Sequence, residues 1–173
     1  MTSIVCRSPF FEEPTHIDVG GQLVLVRPFQ LIIWVSIKAR ERLSPRLPAI
    51  LDTGLSLNFA IQEEHLRSWA QCSPDVLRIV GRSRISQQDL RLYGASIAIH
   101  PNAAGQRDVF RGVEPYDLTL REGILVYPRG HLLGPRLPLL GLRAIAQNDL
   151  EMFVDGKRRE LTIRRKGRTF WPW

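Results

Sequence analysis

Cysteine is scarce: only Cys6 and Cys72 occur in 173 residues. One bridge at most is a poor framework, and nothing else points to an oxidising compartment, so both read as free thiols. Long apolar runs are missing too. The longest, "LIIWVSI", falls far short of the roughly 20 residues needed to span a bilayer. The opening "MTSIVCRSPFFEEPTH" is poor in apolar residues and carries acids, so no secretory leader is read there and a cytoplasmic protein is the expectation. Zinc-type spacings, phosphate loops and aromatic RNA-binding signatures are absent. The four histidines, His16, His65, His100 and His131, lie far apart and form no ligand pair, so no metal and no other cofactor is expected. Internal repeats and low-complexity tracts are absent as well, and the length suits one domain.

What is present is an ordinary globular composition, 44% hydrophobic and 24% charged, with a formal net charge of +7. That charge permits an anionic partner. Its carriers are dispersed except in "KRRELTIRRKGR", which reads as a solvated strand face and a basic tail. Nucleic acid is therefore not expected; the same segment read as a nucleic-acid contact predicts steeply salt-dependent affinity.

Along the chain, "GQLVLVRPF" and "QLIIWVSIKAR" read as strands separated by Pro28, and "AILDTG" as a short strand stopping at Gly54. "FAIQEEHLRSWAQ" reads as a strand end and one or two helical turns, with Leu66, Trp69 and Ala70 on one face. "DVLRIVGRSRISQQDLRLYGASIAIHPN" reads as two strands around the polar connection "GRSRISQQ", and "AAGQRDVFRGVEP" as a loop. "YDLTL" and "GILVYP" are further strands. "LLGLRAIAQNDL" reads as a short strand, Gly141, and a short helix ending near Asn148. "LEMFVDGKRRELTIRR" reads as a hairpin with a type I′ turn at Asp155-Gly156. The whole is all-β, barrel-like, with one or two short helices.

Within this frame "ILDTGLSLNFAI" puts Asp52 between apolar runs. A turn accounts for Gly54, since Asp-x-Gly commonly ends a strand. It does not account for the apolar residues on both sides, which imply a partly desolvated carboxylate in need of partners.

"ILDTG" followed downstream by "LLG", a short helix and a strand-DG-strand unit resembles the retropepsin-like, single-domain aspartic proteases, over roughly residues 20–165. The resemblance implies a closed β-barrel acting as a two-fold dimer, preceded by an N-terminal extension (1–19) and followed by a tail (166–173). It implies an aspartic endopeptidase acting on a peptide or protein substrate, with no cofactor. Asp52 is then the catalytic aspartate, Thr53 the hydrogen-bonding link to the partner subunit, and Gly54 a close backbone turn facing substrate. Leu139, Leu140 and Gly141 match the apolar-apolar-glycine segment under the active-site loop. Leu55 and Ser56 beside the aspartate, and Gly81 and Arg82 in a flap placed at about Val80 to Leu90, line the substrate path. "YGAS" at Tyr93 to Ser96 is a second flap candidate.

Hydrolysis without metal or covalent intermediate needs a general base and a general acid, and two carboxylates sharing one proton supply both. The chain holds a single D-T-G, so a dyad requires one Asp52 from each of two chains on a two-fold axis. Departures from the family pattern are Leu55 where alanine is common, Ser56 and Leu142 where an acid and an arginine pair, and a flap poor in glycine. Leu55, the sparse flap and the excess of positive charge motivate the alternative, a non-catalytic domain of the same fold that binds a peptide or protein partner.

Overall fold

A computed structural model describes residues 3–101 and 114–165. Most of the expected insertion loop and the whole Trp-containing tail lie outside the described residues. The strands are β1 (Ser3–Pro9), β2 (Thr15–Val19), β3 (Gln22–Val26), β4 (Ile32–Ala39), β5 (Arg42–Leu43), β6 (Leu47–Asp52), β7 (Phe59–Gln62), β8 (Ile79–Ile85), β9 (Gln88–Tyr93), β10 (Ser96–Ile99), β11 (Tyr116–Leu118), β12 (Ile124–Tyr127), β13 (Leu139–Gly141), β14 (Leu150–Asp155) and β15 (Glu160–Arg165). Two short helices, α1 (Glu63–Ser68) and α2 (Leu142–Gln147), and one 3-10 turn at Pro74–Val76 complete them. The chain is mostly β, as its alternating apolar pattern predicts. None of the described helices is long and apolar enough to cross a membrane.

Ten strands form one sheet in the order β11-β10-β4-β6-β13-β7-β12-β9-β8, with β5 added beside β4. β1, β15 and β14 form a second sheet, and β2 and β3 a hairpin. The path of the large sheet starts at β11 and ends at β8, and no pairing among the described residues joins these ends. The described strands therefore do not close into the expected barrel.

Central strands carry the core. β4 is buried along Ile32–Ile37, and Trp34, Phe59, Ile61, Leu66 and Ile97 are almost fully removed from water. Each such side chain contributes about 1.5–3 kcal/mol on burial. Leu66, Trp69 and Ala70 of the α1 region face this core as their spacing predicts.

Three local expectations change. Within the span read as an N-terminal extension, residues 3–19 supply paired strands: β1 pairs along β15, and β2 pairs with β3. "GRSRISQQ" is not a loop between strands; Ile79–Ile85 is itself a strand whose residues alternate between exposed and half-buried from Val80 on, and the turn is Ser86–Gln87. Both turn residues have positive φ, 47° and 68°, as a type I′ hairpin requires. The expected type I′ turn at Asp155-Gly156 is instead a four-residue connection, Gly156–Arg159, between β14 and β15. There Asp155 Oδ1 accepts from the Lys157 and Arg158 amides, each at 3.0 Å, so the aspartate folds the loop through its side chain and Gly156 has no positive φ to supply.

Candidate functional site around Asp52

β6 ends at Asp52 because the chain turns back sharply through Thr53 and Gly54. The Gly54 amide donates to Asp52 Oδ1 at 2.8 Å, and the Leu55 amide to the Asp52 carbonyl at 3.3 Å. Gly54 leaves little room for a side chain, since a Cβ would lie 3.3 Å from Asp52 Oδ1. Asp52 is half-buried, whereas Thr53 and Gly54 are exposed. The half-buried carboxylate thus has one oxygen held by the loop's own backbone.

The loop is braced from below. β13 lies between β6 and β7, parallel to the first and antiparallel to the second. This register sets Leu139 beside Ile50, Leu140 beside Leu51 and Gly141 beside Asp52. The Gly141 amide donates to the Asn58 carbonyl at 2.9 Å. Leu140 is fully buried in the main core. Leu139, Leu140 and Gly141 thus form the strand between β6 and β7, in register with Ile50–Asp52.

A second, smaller apolar cluster forms on the loop's side of the sheet. Leu90 and Leu92 of β9, Leu125 and Tyr127 of β12, and Ala60 of β7 are buried together. Leu55, Leu57, Ile85 and Leu139 pack against them. The β8–β9 hairpin and the segment after Asp52 therefore share one apolar layer, and Leu55 belongs to it. Ser56 is exposed.

The hairpin coincides with the span read as a flap, but the two residues singled out in it are not at its tip. Gly81 pairs with Leu92 near the hairpin's base, and Arg82 pairs with Arg91. Gly81, Ser83 and Ile85 face the apolar layer, while Arg82 and Arg84 are exposed on the opposite face. The tip is Ser86–Gln87, and next to it Gln88 Oε1 lies 2.5 Å from His131 Nε2. His131 belongs to the connection between β12 and β13 and its ring leans on Tyr127, 5.2 Å between centroids. Gly94 and Ala95 of the alternative flap candidate merely join β9 to β10.

Sequence reasoning missed three polar residues here. Asn58, only 1% exposed, donates from Nδ2 to Glu122 Oε2 at 3.3 Å, and Arg143 Nη1 reaches the same oxygen at 2.7 Å. A buried asparagine amid "LSLNFAI" was a visible signal; its partners come from segments far along the chain. Of the other histidines, His16 is exposed, whereas His100 and His65 are held by neighbours. His100 Nε2 lies 2.8 Å from the hydroxyl of fully buried Ser36, and His65 stacks on Trp69 with ring centroids 3.9 Å apart. Both have their pKa lowered, mainly by burial. Cys6 and Cys72 are free thiols, and burial pushes Cys6 up to about 12.

Among the described residues no three His, Cys, Asp or Glu side chains gather as a metal site. A groove of about 680 Å³, lined by Ile37, Ala39, Arg42, Ala70, Cys72 and Val76, opens elsewhere. β4 and β6 are antiparallel with Val35 beside Leu47, so that groove lies beyond the start of β6 and Asp52 at its end. Compared with family models, with curated proteins and with solved structures, the chain matches none.

Proposed function

We propose that the chain is an aspartic endopeptidase of the retropepsin type, with one Asp52 from each of two subunits forming the catalytic dyad. The observation that carries this reading is the placement of β13 between β6 and β7, with Gly141 in register with Asp52. That arrangement fixes a half-buried carboxylate on a loop whose Thr53 and Gly54 remain exposed. A single chain supplies one such loop. A two-fold axis beside Thr53 brings a second Asp52 against the first without a second motif in the sequence.

The chemistry follows from two carboxylates that cannot both ionise at close range. The ionised Asp52 takes a proton from water as the oxygen attacks the scissile carbonyl carbon. The protonated Asp52 donates to the carbonyl oxygen as the tetrahedral intermediate forms. Protonation of the amide nitrogen then breaks the C–N bond and yields a carboxylic acid and an amine. The apolar layer of Leu55, Leu57, Ile85 and Leu139 favours apolar substrate side chains beside that bond. The hairpin carrying Ile85 excludes water when a peptide is bound.

The test is cleavage of a peptide library by wild type and by Asp52→Asn, with folding followed by circular dichroism. Asparagine keeps the acceptor for the Gly54 amide but cannot act as a base. The expected outcome is an intact fold and a loss of kcat of at least about 1,000-fold. An Asp52→Asn protein that still cleaves overturns the reading. A wild type that binds peptides without cleaving them favours the non-catalytic domain.

A further inference from the structure

Glu122 lies on the turn between β11 and β12, remote in sequence from the Asp52 loop. We infer that Asn58, Glu122 and Arg143 act as positioning residues that clamp the Asp52 loop to α2; this rests on the aspartic protease reading above. A single carboxylate oxygen, Glu122 Oε2, takes the Asn58 amide at 3.3 Å and the Arg143 guanidinium at 2.7 Å. Three segments meet at that atom: the loop leaving Asp52, the β11–β12 turn and the first turn of α2.

The turn that presents Glu122 is itself held from both sides. The Thr119 amide donates to Asn148 Oδ1 at 2.9 Å, and Asn148 Nδ2 donates back to the Thr119 carbonyl at 3.0 Å and to the Ala144 carbonyl at 2.8 Å. The end of α2 thus grips the turn at Thr119, and its beginning grips it at Glu122. On the other side, Gly123 has φ +71° and lies so close to β9 that a Cβ would stand 2.1 Å from the Tyr93 carbonyl oxygen. The turn therefore abuts the base of the β8–β9 hairpin, and through Glu122 it reaches the Asp52 loop. Any shift of this turn moves both.

Asn58 is a costly choice for mere packing. It is 1% exposed, and its Oδ1 has no hydrogen-bond partner among the described residues. A buried acceptor left unpaired is destabilising, and an apolar residue of similar size avoids that penalty. Only six positions separate Asn58 from Asp52, and its carbonyl already receives the Gly141 amide. Its side chain adds a lateral hold at the point where the loop rejoins β7. A catalytic group misplaced by about 1 Å loses on the order of 100-fold in rate, so a loop carrying Asp52 gains from such a hold.

The spare Oδ1 supplies the decisive test. In a charge-exchange variant, Glu122→Arg with Arg143→Glu, the Asn58 amide turns over and offers Oδ1 to the new guanidinium. Glu122→Gln alone removes the charge with little change of shape. Hydrogen exchange of the Leu55–Asn58 amides, kcat, KM and thermal midpoint are measured for both. The clamp predicts that Glu122→Gln speeds exchange at those amides at least about 10-fold. It also predicts a kcat about 10-fold lower or worse with KM within about twofold, since only positioning is lost. The charge-exchange variant restores both quantities. Unchanged exchange at Leu55–Asn58 in Glu122→Gln overturns the clamp, as does a charge-exchange variant that restores thermal stability but not loop protection. If the wild type cleaves nothing, the exchange data alone still decide the clamp, and only the protease reading falls.

Discussion

Gly141 stands beside Asp52 across two parallel strands, and nothing larger than glycine fits there. A Cβ at position 141 would sit 2.0 Å from the Leu57 carbonyl oxygen and 3.0 Å from that of Leu55. Both contacts are with the backbone of the loop that follows the aspartate, so no side chain can swing aside to relieve them.

Gly141→Ala is therefore expected to push the loop off β13 and break the amide bond to Asn58. The cost is about 4 kcal/mol or more, in the range reserved for backbone strain combined with core disruption. Urea unfolding measures it as a lower midpoint at unchanged slope. Gly156→Ala is the control: nothing lies within 4 Å of a Cβ there and φ is not positive, so its change is expected within about 0.5 kcal/mol.

At its tip the hairpin over the apolar layer is tied by a side-chain contact, Gln88 to His131 at 2.5 Å. Its base is anchored by buried Leu90 and Leu92. Removing the tip contact is expected to loosen the turn without unfolding the strand pair. In Gln88→Ala, which leaves the His131 ring on Tyr127, amide exchange at Ser83–Gln88 rises while global stability falls by about 0.5–1.5 kcal/mol, the worth of one hydrogen bond. Equal protection in wild type and variant across Ser83–Gln88 excludes the tether.

Which parts of this molecule the sequence discloses follows from how local each cause is. The Asp52–Gly54 turn, the short strand at Leu139–Gly141 and the helix after it are written in adjacent residues, and all three are found as read. The turn of the β8–β9 hairpin was misplaced because Ser86 and Gln87 carry no glycine signal, yet both adopt positive φ. The Asp155-Gly156 reading failed for the opposite reason: the letters fit a type I′ turn, but the Asp155 side chain builds a longer loop. The N-terminal segment read as an extension because the partner of β1, β15, is about 155 residues downstream. Glu122 was invisible for the same reason, since nothing in its neighbours points to Asn58. The open path of the large sheet is likewise a property of pairing between distant strands, beyond the reach of alternation along one of them.

His100 makes stability depend on pH. Burial, reinforced by the positive charge of Arg46, lowers it from 6.5 to about 4. The unfolded chain takes up this proton near 6.5 and the native protein only near 4. The stability contributed by neutral His100 is thus complete above pH 6.5 and is lost as pH falls toward 4, below which both states are protonated. Because the ring is partly solvent-screened, the loss amounts to about 1–2 kcal/mol. His100→Gln, which still offers a partner to the Ser36 hydroxyl, is expected to flatten this part of the curve. Carboxylates titrate in the same interval, so the difference between the two proteins, followed by urea unfolding from pH 7 to 4, carries the result. Parallel curves exclude His100 as the cause.

A dyad built from two chains has a signature that no single-chain site can imitate. Wild type and Asp52→Asn are mixed in equal amounts, unfolded together and refolded at a total concentration above the dimer dissociation constant. Random pairing leaves about one quarter of the dimers with two intact Asp52 carboxylates, and a mixed pair is inactive because its asparagine neither accepts nor shares the proton. Activity per total protein is then about one quarter of that of refolded wild type. Independent sites give about one half. Dilution adds a second reading, since below the dissociation constant the rate per subunit falls in proportion to concentration for a shared site and stays constant for an independent one. A value of one half with no loss on dilution rules out the shared dyad, and one quarter with that loss ties catalysis to a pair of Asp52 carboxylates shared between two subunits.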